Sequence, residues 1–162
     1  MVSSPNFFLP LQQGLKKYRR LLVFSVSTFL LNFLWESWHA VYLYQGFPDG
    51  QPRQISSLPD FVLMMTDCAL TDMLLLLLVL ALGAIFFKDA AWFNRRTSLS
   101  TAVFVGLAVG IAVVIEFKAV YIFHQWSYRA AMPTIFGLGL SPLVQLPLTG
   151  LLALSLTKPS PS

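Results

Sequence analysis

Charge is what this sequence has least of. Only 11% of its 162 residues are charged, whereas 56% are hydrophobic. An ordinary globular domain carries about 25% charged residues, so too little polar surface is present for a cytosolic domain. A mean hydropathy of +0.69 equally excludes a disordered chain. Cysteine is almost absent: Cys68 stands alone, which excludes a disulfide scaffold and any multi-cysteine zinc or iron–sulfur site. Alternating segments of about ten residues, the mark of a membrane barrel, are missing. The two halves show no repeat, so nothing favours an inverted-repeat transporter.

What is there is a set of long apolar runs. Residues 21–44, 61–87, 99–124 and 138–157 each approach or exceed the ~20 residues that a helix needs to cross hydrocarbon. They predict a single all-α domain over 1–162, an integral membrane four-helix bundle. The run from Lys16 to Leu31 has a secretory-signal flavour, but it continues past residue 40 without a convincing cleavage site and reads as the first span. The fourth span is expected to open with Ser141 as N-cap and Pro142 at the first helical position. Pro147 threatens it with a kink, and Gly137 to Leu140 reads as non-helical backbone covered by protein. Asp60 reads as a cap of the second helix. Gly106-x-x-x-Gly110 on the third reads as a close helix-packing face, and Trp92 and Phe93 in the second loop read as interfacial.

Lysine and arginine placement sets the orientation. Lys16, Lys17, Arg19, Arg20, Lys88, Arg95, Arg96 and Lys158 lie on one side, against Arg53 and Arg129 on the other. Both termini are therefore expected in the cytoplasm and the protein in a bacterial inner membrane. The formal charge of +4 follows from this bias, and no nucleic-acid partner is needed to explain it.

Against that apolar background, Glu36, Asp67, Asp72 and Glu116 fall inside the runs. Each costs about 2.5–3.5 kcal/mol at a helix centre, so such residues usually face a bundle interior and mark function. At ~1.5 Å per residue, Glu36, Asp67 and Glu116 share a level roughly 10–12 Å below the outer surface. Asn32 and Asp72 lie deeper. Ser25, Thr28, Asn32, Glu36 and His39 recur at three- and four-residue spacing, which puts them on one stripe. Asp67, Cys68, Thr71 and Asp72 share an arc of about 140° on the second helix. Ser141, Gln145 and Thr149 share a face of the fourth. Lys118 is expected either to snorkel outward or to neutralise a carboxylate.

A carboxyl group buried in apolar surroundings holds its proton more tightly and can act as a general acid. Trp35, Trp38, Tyr42, Trp126 and Tyr128 lie at or above the same level and would offer aromatic faces to a developing cation. The expected site is a polar pocket opening toward the outer leaflet, with Trp126 to Phe136 as a lid. Acid and aromatic lining together suit protonation of an alkene or epoxide. Glu36 is the expected acid, Asn32 its orienting partner, Asp72 or Glu116 the partner carboxylate, and Asp67 and His39 further candidates. Trp35, Trp126, Tyr128 and Gln145 are the expected substrate contacts. No cofactor is expected. Glu36-x-x-His39 has di-iron spacing, but such sites need that pair twice plus two further glutamates, so no metal is expected either.

Asn32-Phe-Leu-Trp35-Glu36 resembles the Asn-x-x-Trp-Glu signature of the integral membrane terpene cyclases of fungal meroterpenoid and indole-diterpene pathways. That resemblance implies a proton-donating role for Glu36 and an isoprenoid-like, lipid-soluble substrate. Those cyclases are longer, which makes a homodimer of this chain an expectation. A second resemblance covers most of the chain. Asn32, Trp35-Glu36, Thr66-Asp67-Cys68, Asp72, Glu116, Trp126-Ser-Tyr128, Met132-Pro133, Gly139-Leu-Ser-Pro142-Leu and Gln145 are similar to a group of small four-span bacterial membrane proteins without an assigned function. Two further classes stay open on the residues alone. One is a proton-coupled small transporter, because a first-helix glutamate in a four-span chain resembles the small multidrug-resistance transporters. The other is a non-catalytic assembly or lipid-binding subunit, in which the acids satisfy one another.

Overall fold

A computed structural model describes residues 8–45, 57–94 and 97–157. Helix α1 runs from Phe8 to Tyr42, α2 from Leu58 to Phe87, α3 from Ser98 to Phe117 and α4 from Leu140 to Leu156. Three of the four carry segments long and apolar enough to cross a membrane: Tyr18–Tyr42, Leu58–Phe87 and Ser98–Ile122; α4 is apolar but shorter. Polar chemistry sets the helix boundaries. Ser57 caps α2 by accepting the Asp60 N–H at 3.3 Å and donating its hydroxyl to the Asp60 carboxylate at 2.7 Å. Asp60 is thus the third residue of that cap rather than the cap itself. Thr97 and Ser100 form a reciprocal capping box at α3, with bonds of 3.1 and 2.9 Å.

Helix α1 packs on α2 and α4, and α3 packs on both of the same partners. Phe24, Leu76, Val79, Phe104, Ala108, Leu146 and Ala153 make the core between them. Trp92 and Phe93 lie in the α2–α3 connection yet are buried, at 4% and 7% exposure. This corrects their interfacial reading. The reason is a slot at Gly83, where any Cβ would run into the Trp92 indole. Trp92 Nε1–H donates to the Leu80 carbonyl at 2.9 Å, and Phe87 stacks on the ring at 5.1 Å.

Gly106 and Gly110 are a second correction. Both are exposed, and a Cβ at either would meet nothing within 4 Å. The packing stripe of α3 is instead Phe104, Ala108, Ala112 and Glu116, all buried at four-residue spacing. A glycine two positions from that stripe lies about 200° around the helix and faces away. Lys118 takes the outward option, with Nζ 5.5 Å from the Phe123 ring centre.

At one end of the molecule the connections fold over the helices. We call it the polar end. Helix α3 continues as a π-helical turn, Lys118–Ile122. Strand β1 (Tyr44–Gln45) pairs antiparallel with β2 (Ser127–Tyr128), and β3 (Thr134–Ile135) with β4 (Leu138–Gly139). The β3–β4 turn is Phe136-Gly137, both at positive φ (51° and 80°), as a two-residue hairpin loop requires. This segment is tied down at both ends. Arg129 N–H donates to the Leu43 carbonyl at 2.9 Å, and Leu140 N–H to the Pro133 carbonyl at 2.8 Å. Strand β4 runs straight into α4, so Gly139 is the N-cap and makes no side-chain cap. Ser141 is therefore the second residue of the helix, a correction to its expected capping role, and its hydroxyl is free for another partner.

Candidate functional site

The polar stripe of α1 faces the neighbouring helices α2 and α4. Thr28, Asn32 and His39 are fully buried. Threonine and asparagine inside a helix can back-bond to its own carbonyls, and both do so here. Thr28 Oγ1 donates to Phe24 O at 2.9 Å, and Asn32 Nδ2 to Thr28 O at 2.8 Å. Asn32 Oδ1 is then left pointing at α4. It accepts from Gln145 Nε2 and from Thr149 Oγ1, each at 3.2 Å.

Gln145 is the hub. Its Nε2 donates to Glu36 Oε1 at 2.6 Å and to Asp72 Oδ2 at 2.7 Å, while its side chain is almost wholly buried. Helices α1 and α2 thus bring two carboxyl groups and one amide oxygen to a single nitrogen on α4. That nitrogen has two hydrogens for three acceptors, so the site is under-supplied with donors.

A second station lies on α3. Glu116 is 2% exposed. Its Oε1 accepts Trp126 Nε1–H at 3.2 Å and the Tyr128 hydroxyl. Tyr128 in turn accepts the Gly139 N–H at 2.9 Å, so its own proton is committed to the carboxylate. Burial, together with the bond to Glu116, pushes the Tyr128 phenol above its ordinary value. Burial and the Glu116, Glu36 and Asp72 carboxyl groups do the same to Tyr44. Both phenols therefore stay protonated well above neutral pH. The Tyr44 ring lies 6.1 Å from that of Tyr128 and 5.3 Å from that of His39.

His39 joins the two stations. Its Nε2 accepts the Trp35 indole N–H at 2.6 Å and lies 2.6 Å from Ser141 Oγ. Its Nδ1 is buried without a hydrogen-bond partner, and Glu36 Oε1 is 3.9 Å away. An indole nitrogen can only donate. Nε2 must therefore carry the lone pair, which assigns the ring proton of the neutral imidazole to Nδ1.

Most of the expected residues meet here: Asn32, Glu36, Asp72 and Gln145 at one station, Glu116, Trp126 and Tyr128 at the other, with Trp35 and His39 between. Asp67 is the exception. It is exposed on α2, because five residues turn a helix through about 140° beyond one full turn. With Asp72 facing inward, Asp67 cannot. Tyr42 is also exposed, at 58%. Tyr44 and Ser141 were not expected at the site. Tyr44 follows the last helical residue of α1, a position no periodicity marks. The i+4 spacing of Ser141 and Gln145 placed both on one face, but nothing in the sequence paired that serine with His39.

The carboxyl groups lie against the side chains of Gln145, Trp126 and Tyr128. A cavity of about 180 Å³ lies at the opposite end, lined by Trp92, Phe104 and Leu151 among others. Among the described residues, no group of three His, Cys, Asp or Glu side chains could hold a metal ion. No protein-family model matches the chain, and neither a curated protein nor a solved structure matches it.

Proposed function

We propose that the chain is a four-span protein of a bacterial inner membrane, both termini cytoplasmic, that carries out acid–base chemistry on a lipid-soluble, isoprenoid-like substrate. The observation that supports this most is Gln145 Nε2 standing between Glu36 Oε1 and Asp72 Oδ2 at 2.6 and 2.7 Å. Two carboxylates this close, in surroundings this apolar, are costly to ionise together. The pair is suited to carry one proton in all, with the Gln145 amide rather than that proton bridging the two oxygens. Glu36 hands that proton to an alkene carbon or epoxide oxygen. Gln145, held by Asn32, keeps both carboxyl groups aimed. Asp72 is the base that takes a proton back from the product, so the pair returns to its starting charge. Trp126, Tyr128 and Tyr44 present ring faces to the developing cation.

Stability alone is a poor reason for such a network. Hydrogen bonds between membrane helices average only ~0.6 kcal/mol, less than the cost of one central carboxylate. The test is a mass-spectrometric profile of apolar extracts from cells carrying the wild type or Glu36→Gln at matched membrane levels. A product found only with the wild type is expected. Wild-type product levels in the variant would reject Glu36 as the acid, and proton-coupled uptake by the same pair would then be the reading to test.

A further inference from the structure

The connection from α3 to α4 is built unlike a loop in water. No charged residue occurs between Arg129 and Lys158, although a connection that faces water is normally polar. Its β3–β4 turn, Phe136-Gly137, needs positive φ at both positions, a demand that asparagine and glycine meet most easily. Phe136 takes φ 51° instead and is 100% exposed, beside a half-exposed Ile135. In water this residue would be strained and unsheltered at once. We infer that the hairpin inserts sideways into the lipid leaflet at the polar end, with Ile135 and Phe136 among the acyl chains just below the headgroups.

The seat of the turn sets that direction. Tyr121 O–H donates to the Gly137 carbonyl at 3.1 Å, and a Cβ at Gly137 would run into that hydroxyl, so only glycine lets the turn come so close. The Tyr121 ring lies 5.3 Å from that of Phe117. Both are about half exposed, and they join the tip to the flank of the apolar segment Ser98–Ile122. The tip therefore lies beside α3. Lys118, exposed and three residues before Tyr121, supplies a cation at headgroup level, where lysine stems snorkel.

Lipid tolerates irregular backbone only where its polar groups are met. The hairpin meets that demand from within the protein. Thr134 pairs with Gly139 and Ile135 with Leu138, Leu140 N–H donates to the Pro133 carbonyl at 2.8 Å, and Tyr121 serves the Gly137 carbonyl. The two strands also differ in what they face. Thr134 and Ile135 are exposed, whereas Leu138 and Gly139 are buried, and Gly139 N–H donates to the Tyr128 hydroxyl at 2.9 Å. One strand thus looks at the candidate site and the other at lipid. A second copy of the chain is a poorer occupant, because a stable interface buries about 800 Å² per partner, far more than a two-residue tip offers.

The insertion does not depend on the acid–base reading, and its test reads no product. A nitroxide is attached at Phe136→Cys in a Cys68→Ala chain reconstituted in nanodiscs. Its collisions with oxygen, which concentrates in lipid, are compared with those of a nickel chelate, which stays in water. Leu74→Cys, exposed on α2, is the lipid reference, and Ala90→Cys, exposed in the turn after α2, is the water reference. Oxygen collisions should dominate at 136 as at 74, and nickel collisions at 90. Ile135→Cys, outside the positive-φ turn, should give the same result and keeps the test open where Phe136→Cys fails to fold. Nickel dominance at both tip positions, with 74 in lipid, would overturn the insertion alone. So would labels shielded from both reagents, the mark of a covering protein. Nickel dominance at 74 as well would overturn it together with the four-span reading.

Discussion

The two ends of this molecule solve the same packing problem with opposite chemistry. At the Trp92 end, helices meet through shape. Gly83 makes room for an indole, Phe104 and Leu76 press against Gly150, and the bonds that tie the connection down include Trp92 to the Leu80 carbonyl and Arg20 to Asn94. At the polar end, helices meet through a network in which one amide nitrogen serves Asn32, Glu36 and Asp72. The first end has a cavity and no ionisable group lining it; the second has two carboxyl stations. Stability explains the first end completely. It does not explain the second, where three carboxyl groups are an expensive way to join helices. That difference is the argument for function at the polar end.

Substitutions can break the comparison, and they rank by size. The largest effect is on turnover: Glu36→Gln should cut product formation by ~10²-fold or more, the scale of general-acid catalysis, while thermal unfolding in detergent shows a folded protein. At the other end, Gly83→Val should destabilise by about 3 kcal/mol or more, since overpacking against a buried indole forces backbone shifts. Detergent unfolding would record it, and the product profile per folded molecule should not change. Gln145→Leu should cost about 1–3 kcal/mol, because it strands buried acceptors, and should also abolish turnover. It is the one substitution here expected to register in both assays. Asp67→Asn is the control, with stability within about 0.5 kcal/mol of wild type and full activity. A large loss in Asp67→Asn would blur the distinction between an inward Asp72 and an outward Asp67.

How much of this was legible in advance depends on what each pattern constrains. The α1 stripe was legible because spacing of three and four residues selects one face whatever the neighbours are. Gln145 and Thr149 were legible on the same ground. Gly106 and Gly110 were not: a pair of small residues marks a narrow side of a helix, but the buried Phe104–Ala108–Ala112–Glu116 row decides which side turns inward. Asp67 was misplaced because an arc of about 140° is wider than one helix contact can cover, and the structure gives the inward part to Asp72. Trp92 sat among charges and looked interfacial, yet the slot that buries it is made by a glycine on another element. Ser141-Pro142 has the form of a helix start. Only the β3–β4 hairpin, which starts the helix one residue earlier, frees that hydroxyl for His39.

The central claim is that Glu36 and Asp72 move protons to and from carbon or oxygen of an apolar molecule. It is tested most directly by isotope. Wild-type protein in nanodiscs, supplied with an apolar lipid extract in deuterated water, should place deuterium at a non-exchangeable position of one extracted compound, and Glu36→Gln should not. Equal incorporation by both proteins, or none by the wild type with an extract in which cells expressing it form product, would contradict the account.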